Sequence, residues 1–201
     1  MQGKPQTCTI LLDTFCVDAY CSGTGKILHE VDCRKFNRPS HEEKPMSKQA
    51  FHQRLSDLTA QIAGQPLDDA LDRWLNSTHG AGSATFDSLK QACIEGVAEG
   101  WLCDREGGGI RYGRVFKAED ALHRFSVDVV DMQDIAGPHH THPNGEIDLI
   151  MPLEGDATFD GRPAGWCVYA AGTSHRPTVA QGRALVLYLL PEGQIQFTKT
   201  P

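Results

Sequence analysis

Two histidines and a glutamate spaced H-x-H-x3-E constrain this chain more than any other feature. They are His140, His142 and Glu146, within Gly137-Pro-His-His-Thr-His-Pro-Asn-Gly-Glu146, and an apolar run follows at once. On an extended segment alternate side chains project to one side, so ligand-type residues at even positions converge on a point. Beyond a hairpin-length interval stands a fourth, His175, in Ala171-Gly-Thr-Ser-His-Arg-Pro177. Three imidazoles and one carboxylate with an open position suit a divalent metal ion such as Fe, Mn, Ni, Co or Zn. A His-rich turn can also be a solvated loop. Four residues of ligand type, three of them at fixed local spacing, argue for a metal-dependent active site instead.

The rest of the chain limits what that site can belong to. At 201 residues it holds one compact domain with a smaller appended element. A formal net charge of -7, with no basic face, argues against nucleic acid. No apolar run approaches the roughly 20 residues that cross a bilayer. The early stretch Thr9 to Phe15 is broken by Asp13 and makes no signal peptide, so a cytoplasmic protein is expected. Seven cysteines, an odd number with no C-x-x-C pair, read as reduced thiols rather than a disulfide framework. A zinc-binding extension built from Cys8, Cys16, Cys21 and Cys33 is the weaker alternative.

Residues 1–45 carry six basic and six acidic side chains, so the whole net charge belongs to residues 46–201. They have no sustained helical period and end in the linker-like Arg38-Pro-Ser-His-Glu-Glu-Lys-Pro45. We read them as a disordered upstream extension or the product of a misassigned start codon, with a small partner-binding tail as the competing reading. From Ser47 the period turns helical. Phe51, Leu55, Leu58 and Ile62 form one stripe, with Ser47 as N-cap and Gly64 as stop. A second helix is expected with Pro66 in its first turn and Leu67, Leu71, Trp74 and Leu75 on its apolar face. A third carries Phe86, Leu89, Cys93 and Val97 and stops near Gly100. These stripes read as core.

Short strands follow from residue 101. Arg105–Gly109 reads as a hairpin turn and Ile110–Phe116 as a strand with Ile110, Tyr112, Arg114 and Phe116 on its inner face. Further strands are expected at 125–132, 147–153, 157–160, 166–170, 175–179, 184–190 and 195–198, with turn signals at 153–156, 160–163, 171–172, 181–182 and 191–193. The fold class is therefore α+β, a helical segment (46–100) packed on an antiparallel β-barrel of the double-sheet jelly-roll kind (101–201).

With H-x-H-x3-E and a later Gly-x2-His, the barrel resembles the cupin family. His140, His142 and Glu146 match its first motif; Gly165 through Gly172 with His175 match its second. Ala170 and Val179 depart from the proline and asparagine common there, and Glu146 to Gly155 is longer than usual. Over roughly residues 47–198 the chain resembles 4-hydroxylaminobenzoate lyase of bacterial nitrobenzoate degradation. That likeness is carried by Gly107-Gly-Gly-Ile-Arg-Tyr-Gly-Arg114, the segment Phe125–Met132, Gly137–Pro152 and Leu189-Leu-Pro-Glu-Gly193. The resemblance implies conversion of 4-hydroxylaminobenzoate to 3,4-dihydroxybenzoate (protocatechuate) and ammonia.

The residues admit that chemistry. A metal held by His140, His142, Glu146 and His175 can act as a Lewis acid and supply a water of lowered pKa. Asp148 has the strand parity of Glu146 and is a candidate proton shuttle, or an acceptor that orients a ligand imidazole. The carboxylate of a small aromatic acid needs a cation: Arg114 first, then Arg111 and Arg176. Tyr112, Phe125 and Tyr188 are candidates for the ring slot, and His139, of opposite parity, for the rim. Two alternatives stay open, a metal-dependent dioxygenase acting on an aromatic acid and a non-enzymatic metal-cupin ligand sensor. The sensor requires an exposed apolar face on residues 47–98. A homodimer that buries an edge strand is compatible with either.

Overall fold

The structure, a computed structural model, describes residues 46–198. The expectations for residues 1–45, including a zinc site at the four early cysteines, lie outside the described residues. Three helices come first: α1 (Lys48–Ile62), α2 (Asp69–His79) and α3 (Ala84–Ala98). Each starts where a side-chain oxygen satisfies otherwise unbonded N–H groups. Ser47 Oγ accepts from Ala50 N, Asp68 from Ala70 N and Leu71 N, and Ser83 Oγ from Phe86 N. The Asp68 cap corrects the expected start of α2: Pro66 and Leu67 precede the helix instead of opening it.

Nine antiparallel strands follow among the described residues: β1 (Arg105–Gly107), β2 (Ile110–Phe116), β3 (Phe125–Ala136), β4 (His140–His142), β5 (Glu146–Phe159), β6 (Gly165–Tyr169), β7 (Thr173–His175), β8 (Thr178–Pro191) and β9 (Gln196–Phe197). They make a six-stranded sheet, β1-β2-β3-β8-β5-β6, and a three-stranded one, β7-β4-β9. The expected double-sheet fold preceded by helices is thus observed, with β3, β5 and β8 longer than expected. The turn signals at 153–156 and 181–182 are not turns. They face each other across one kink in β5 and β8, where Gly155 pairs with Gly182 and the register slips. Bulges and turns draw on the same residue types, so composition alone does not separate them. The expected strand 175–179 is cut between β7 and β8 at Pro177, which has no N–H for a ladder.

The large sheet has two differently used faces. On one, Val127, Val129, Ile147, Leu149, Leu187 and Leu189 meet the helix stripe of Phe51, Leu55, Ile62, Leu75 and Leu89 in a single apolar cluster. Burial of each such side chain is worth about 1.5–3 kcal/mol, so the helices are held by packing. On the helical layer Ile94 is the one exposed large apolar side chain among the described residues. The other face turns Asp128, Ile150, Val186, Tyr188 and Leu190 toward the small sheet and forms a cup.

Helix α2 also closes an edge. β6 is the outer strand, and an unpaired strand edge invites association with another chain. Asn76 accepts from Trp166 N (2.8 Å) and donates to Trp166 O (2.9 Å), while Asp72 accepts from Val168 N (3.1 Å) and from Arg162. Two helical side chains thereby replace the missing neighbour strand. No helix among the described residues is long and apolar enough to cross a membrane.

Candidate metal centre

His140 and His142 lie on one face of β4, as alternation requires. Across the ladder His175 of β7 stands directly opposite His140, and directly opposed residues share a face. The turn at Gly145 then brings Glu146 in at the start of β5. Gly145 has φ +87°, and a Cβ there would come within 2.6 Å of Leu67 and 2.7 Å of Tyr169 O, so only glycine lets the chain double back here.

The four ligand atoms lie within 4.8 Å of one another. His140 Nε2 is 3.0 Å from His175 Nε2. Glu146 Oε1 is 3.3 Å from His142 Nε2 and 3.5 Å from His175 Nε2, and Oε2 is 3.8 Å from His140 Nε2. Donors about 2.1 Å from a shared ion stand about 3.0 Å apart at right angles and about 3.4 Å apart in a tetrahedron. The observed spacings therefore fit a common ion.

Hydrogen bonds behind the rings fix which nitrogen faces the centre. His140 Nδ1 is 3.1 Å from Pro138 O, which can only accept. His142 Nδ1 meets Thr173 Oγ1, whose own hydrogen goes to Ala170 O, so that oxygen accepts as well. His175 Nδ1 meets the Asp160 carboxylate, which is also bonded by Tyr169 Oη (2.8 Å) and Thr178 N (2.8 Å). Each Nδ1 therefore carries the hydrogen, and three Nε2 lone pairs point at one another and at Glu146. His142 Nε2 and both Glu146 oxygens are buried with no hydrogen-bond partner. Buried polar atoms in that condition are costly, and a cation between them removes the cost. The residues present fit a divalent metal ion.

The electrostatics agree. Burial pushes the His142 pKa down to about 4 despite the pull of Glu146, so this imidazole is neutral and ready to ligate. Burial raises the Glu146 pKa, but the His140, His175 and His142 rings outweigh it and hold this carboxyl below its ordinary value. For His175 burial lowers the pKa, and the Asp160 hydrogen bond and Glu146 carboxylate reverse this and push it up to about 9. Without a cation a proton takes its place between the rings.

Of the other sequence-predicted site residues, Asp148 lies one step along the cup face from Glu146, fully buried, and no N–H or O–H among the described residues reaches either oxygen. Burial first, and the neighbouring Glu146 charge second, raise its pKa well above the ordinary carboxylate range. Tyr188 pairs with Asp148 on one side and Asp128 on the other, so Asp128, Tyr188 and Asp148 form a row across the cup. Arg114 ends that row. Its Nε donates to both Asp128 oxygens (2.9 and 3.0 Å), and its Nη groups make no further hydrogen bond among the described residues.

Three expectations are corrected. A bulge between Arg114 and Phe116 rotates β2, so Phe116 pairs with Val127 and packs against the helices instead of facing the cup. Phe125, of the same parity as Val127, lies on the helix side as well. Arg111 has the parity of β2 that points away from the cup, and its Nη1 stands 3.9 Å from Asp131. Arg176 is exposed, its Nη1 donating to Gly137 O (3.2 Å). Tyr112 has cup parity but is 40% exposed and leans over Gly107. His139 is half-buried and bonded to Thr198. A groove of about 400 Å³ on the helical layer, beside Arg54, Gln61 and His79, contains none of these ligands. Sequence reasoning missed Asp160, Asp128 and Tyr169. An aspartate before a glycine reads as turn chemistry, and only the pairing of distant strands puts Asp160 behind His175.

Comparisons with known proteins place the chain in a family. The family described as PnbB, 4-hydroxylaminobenzoate lyase, matches residues 53–197. The 4-hydroxylaminobenzoate lyase of Nocardioides sp. (strain LMS-CY) is 33% identical over 157 residues, covering 73% of this chain and 90% of that protein. The lyase of Pseudomonas putida is 30% identical over 158 residues, covering 70% and 90%. Among solved structures, one from a study of the DMSP lyases RdDddP and RnDddQII aligns with a TM-score of 0.43 at 14% identity, covering 76% of this chain and all of that one. The match spans α1 to β9 and includes all four ligands and the cup that holds them, and on that extent the chain belongs to the 4-hydroxylaminobenzoate lyase family.

Proposed function

We propose that the protein converts 4-hydroxylaminobenzoate and one water into 3,4-dihydroxybenzoate and ammonia, with a divalent metal ion held by His140, His142, Glu146 and His175. The observation that carries this is the convergence of three Nε2 lone pairs and an unbonded buried carboxylate, in a member of this family. The atoms balance with water alone. The N–O bond, the ring C–N bond, one C–H bond on the neighbouring ring carbon and one O–H bond of water break; two ring C–O bonds, one of them on that neighbouring carbon, and two N–H bonds form, and no oxidant enters.

When bound, the ion supplies Lewis acidity toward the hydroxylamine oxygen and lowers the pKa of a water. The chain's own groups do the rest. Asp148, neutral in its buried position, holds a proton at a carboxyl oxygen beside the ligands and can pass it to the departing hydroxyl, then recover one from the incoming water. Ile150, Val186 and Leu190 line the cup with apolar surface and keep bulk water from the reacting end. Arg114 presents its free Nη edge to the substrate carboxylate, while Asp128 holds the guanidinium through Nε. The three described cysteines, Cys93, Cys103 and Cys167, are buried free thiols, which supports a cytoplasmic setting.

The test is metal analysis of the purified protein together with anaerobic turnover of 4-hydroxylaminobenzoate. Stoichiometric metal and equal yields of ammonia and 3,4-dihydroxybenzoate are expected. Turnover that consumes oxygen replaces this reading with the dioxygenase. Turnover that survives complete chelation removes the metal from the reaction.

A further inference from the structure

The C-terminal segment supplies no metal ligand, yet it runs from one end of the proposed substrate site to the other. At its start, Gly193 (φ +64°) lies against Arg114: a Cβ there would sit 3.0 Å from Arg114 Nη1 and 3.4 Å from Ser126. At its end, Phe197 pairs with His140 across the β4–β9 ladder, so both side chains share the cup face. Their ring centroids are 5.8 Å apart at 73°. The row across the small sheet is therefore His175, His140, Phe197: two ligand rings and a third ring with nothing to ligate. Ile195, midway and of the same parity, packs into the cup cluster.

Four residue steps span at most about 14 Å. The large sheet gives the same span, because β5 and β2 are three strand spacings of about 4.8 Å apart. A flat acid with its carboxylate toward Arg114 and its nitrogen toward the ligands would lie along Ile195 and Phe197. Phe197 is 66% exposed, the most exposed large apolar side chain among the described residues. It is not a frayed end, since Thr198 N donates to His139 O (3.1 Å) and the His139 ring bonds Thr198 Oγ1. An exposed aromatic ring held rigidly beside a ligand imidazole is placed to meet another ring.

We propose that Ile195 and Phe197 form the wall against which the substrate ring lies and select for a flat para-substituted benzoate. This rests on the reading that the metal end takes the hydroxylamine and Arg114 the carboxylate. Phe197 and Ile195 act by positioning the ring.

The experiment compares full-length, metal-loaded wild type, Phe197→Ala, Phe197→Tyr and Ile195→Ala. It measures KM and kcat with 4-hydroxylaminobenzoate, the Kd of 4-aminobenzoate by calorimetry, metal content and solution mass. For Phe197→Ala, KM and Kd should rise roughly 10-fold with kcat within about 3-fold, while Phe197→Tyr should stay near wild type. Ile195→Ala should move in the same direction by less. Metal content and mass should not change. Unchanged Kd in Phe197→Ala overturns the proposal. So does loss of metal in step with affinity, which would make Phe197 a support for His140, or a change of mass with affinity intact, which would make it a contact between copies. Wild type that binds 4-aminobenzoate without turning over the hydroxylamine sinks the proposed reaction but not the wall, which the Kd ratio still decides. Wild type that does neither overturns both.

Discussion

Asp160 and Asp148 are carboxylates with opposite duties, set by what reaches their oxygens. Asp160 is fully engaged. It accepts from Tyr169 Oη, Thr178 N and His175 Nδ1, and although burial raises its pKa, those bonds bring it below the ordinary value. Its carboxylate keeps the His175 Nε2 lone pair aimed inward. Asp160→Asn retains an acceptor but loses the charge, and metal affinity measured by competition with a chelator should fall about 10- to 100-fold. Wild-type affinity would show that the His175 ring is positioned by packing alone. Asp148, by contrast, has no donor among the described residues, and burial with the Glu146 charge beside it favours its neutral form. Asp148→Asn keeps its shape, but it cannot give up a proton. We expect full metal content, KM within a few-fold of wild type, and kcat lower by about 100-fold or more. Undiminished kcat would return Asp148 to a purely orienting role.

At the level of elements, the helices and the ligand motif were legible because each depends on local spacing alone. The stripe Phe51, Leu55, Leu58, Ile62 and the alternation His140, His142 hold whatever lies opposite them. What sequence could not show was pairing. The bulge that follows Arg114 is a relation between β2 and β3, and it decides that Arg114 faces the cup while Phe116 does not. Arg114→Lys removes the planar fork that can serve Asp128 and a substrate carboxylate together, so KM should rise with little change in kcat. An unchanged KM would take Arg114 out of the site. The edge closure by α2 was equally hidden, because Asn76 sits on the polar side of an amphipathic stripe. Asn76→Ala leaves Trp166 N without its partner and Trp166 O with Arg162 alone, and should cost about 1–3 kcal/mol in chemical denaturation. The metal content of the folded fraction should stay intact. A cost below about 0.5 kcal/mol would mean that water replaces the helix at that edge.

Among the described residues, the metal site lies between two sheets that the β3–β4, β4–β5, β6–β7, β7–β8 and β8–β9 connections join, and its ligands come from both, so occupancy and stability are linked. Without the ion, the His175 proton is what holds the rings and Glu146 together. The folded pKa of His175, about 9, lies above the ordinary 6.5. A group with a raised folded pKa contributes stability that is fully present below pH 6.5 and is lost as pH rises through about 9. The chelated protein should therefore show a Tm that declines across pH 6.5–9. Over the same window metal binding should tighten, because less of the competing proton must be displaced. The loaded protein should keep a flatter Tm, and the gap between loaded and chelated forms should widen with pH. Differential scanning calorimetry of both forms, with His175→Gln as control, tests this: the variant should lose the decline in its chelated form. A gap that narrows as pH rises would mean that no proton stands in for the cation at this centre, and that the two sheets are held together by something other than these four side chains.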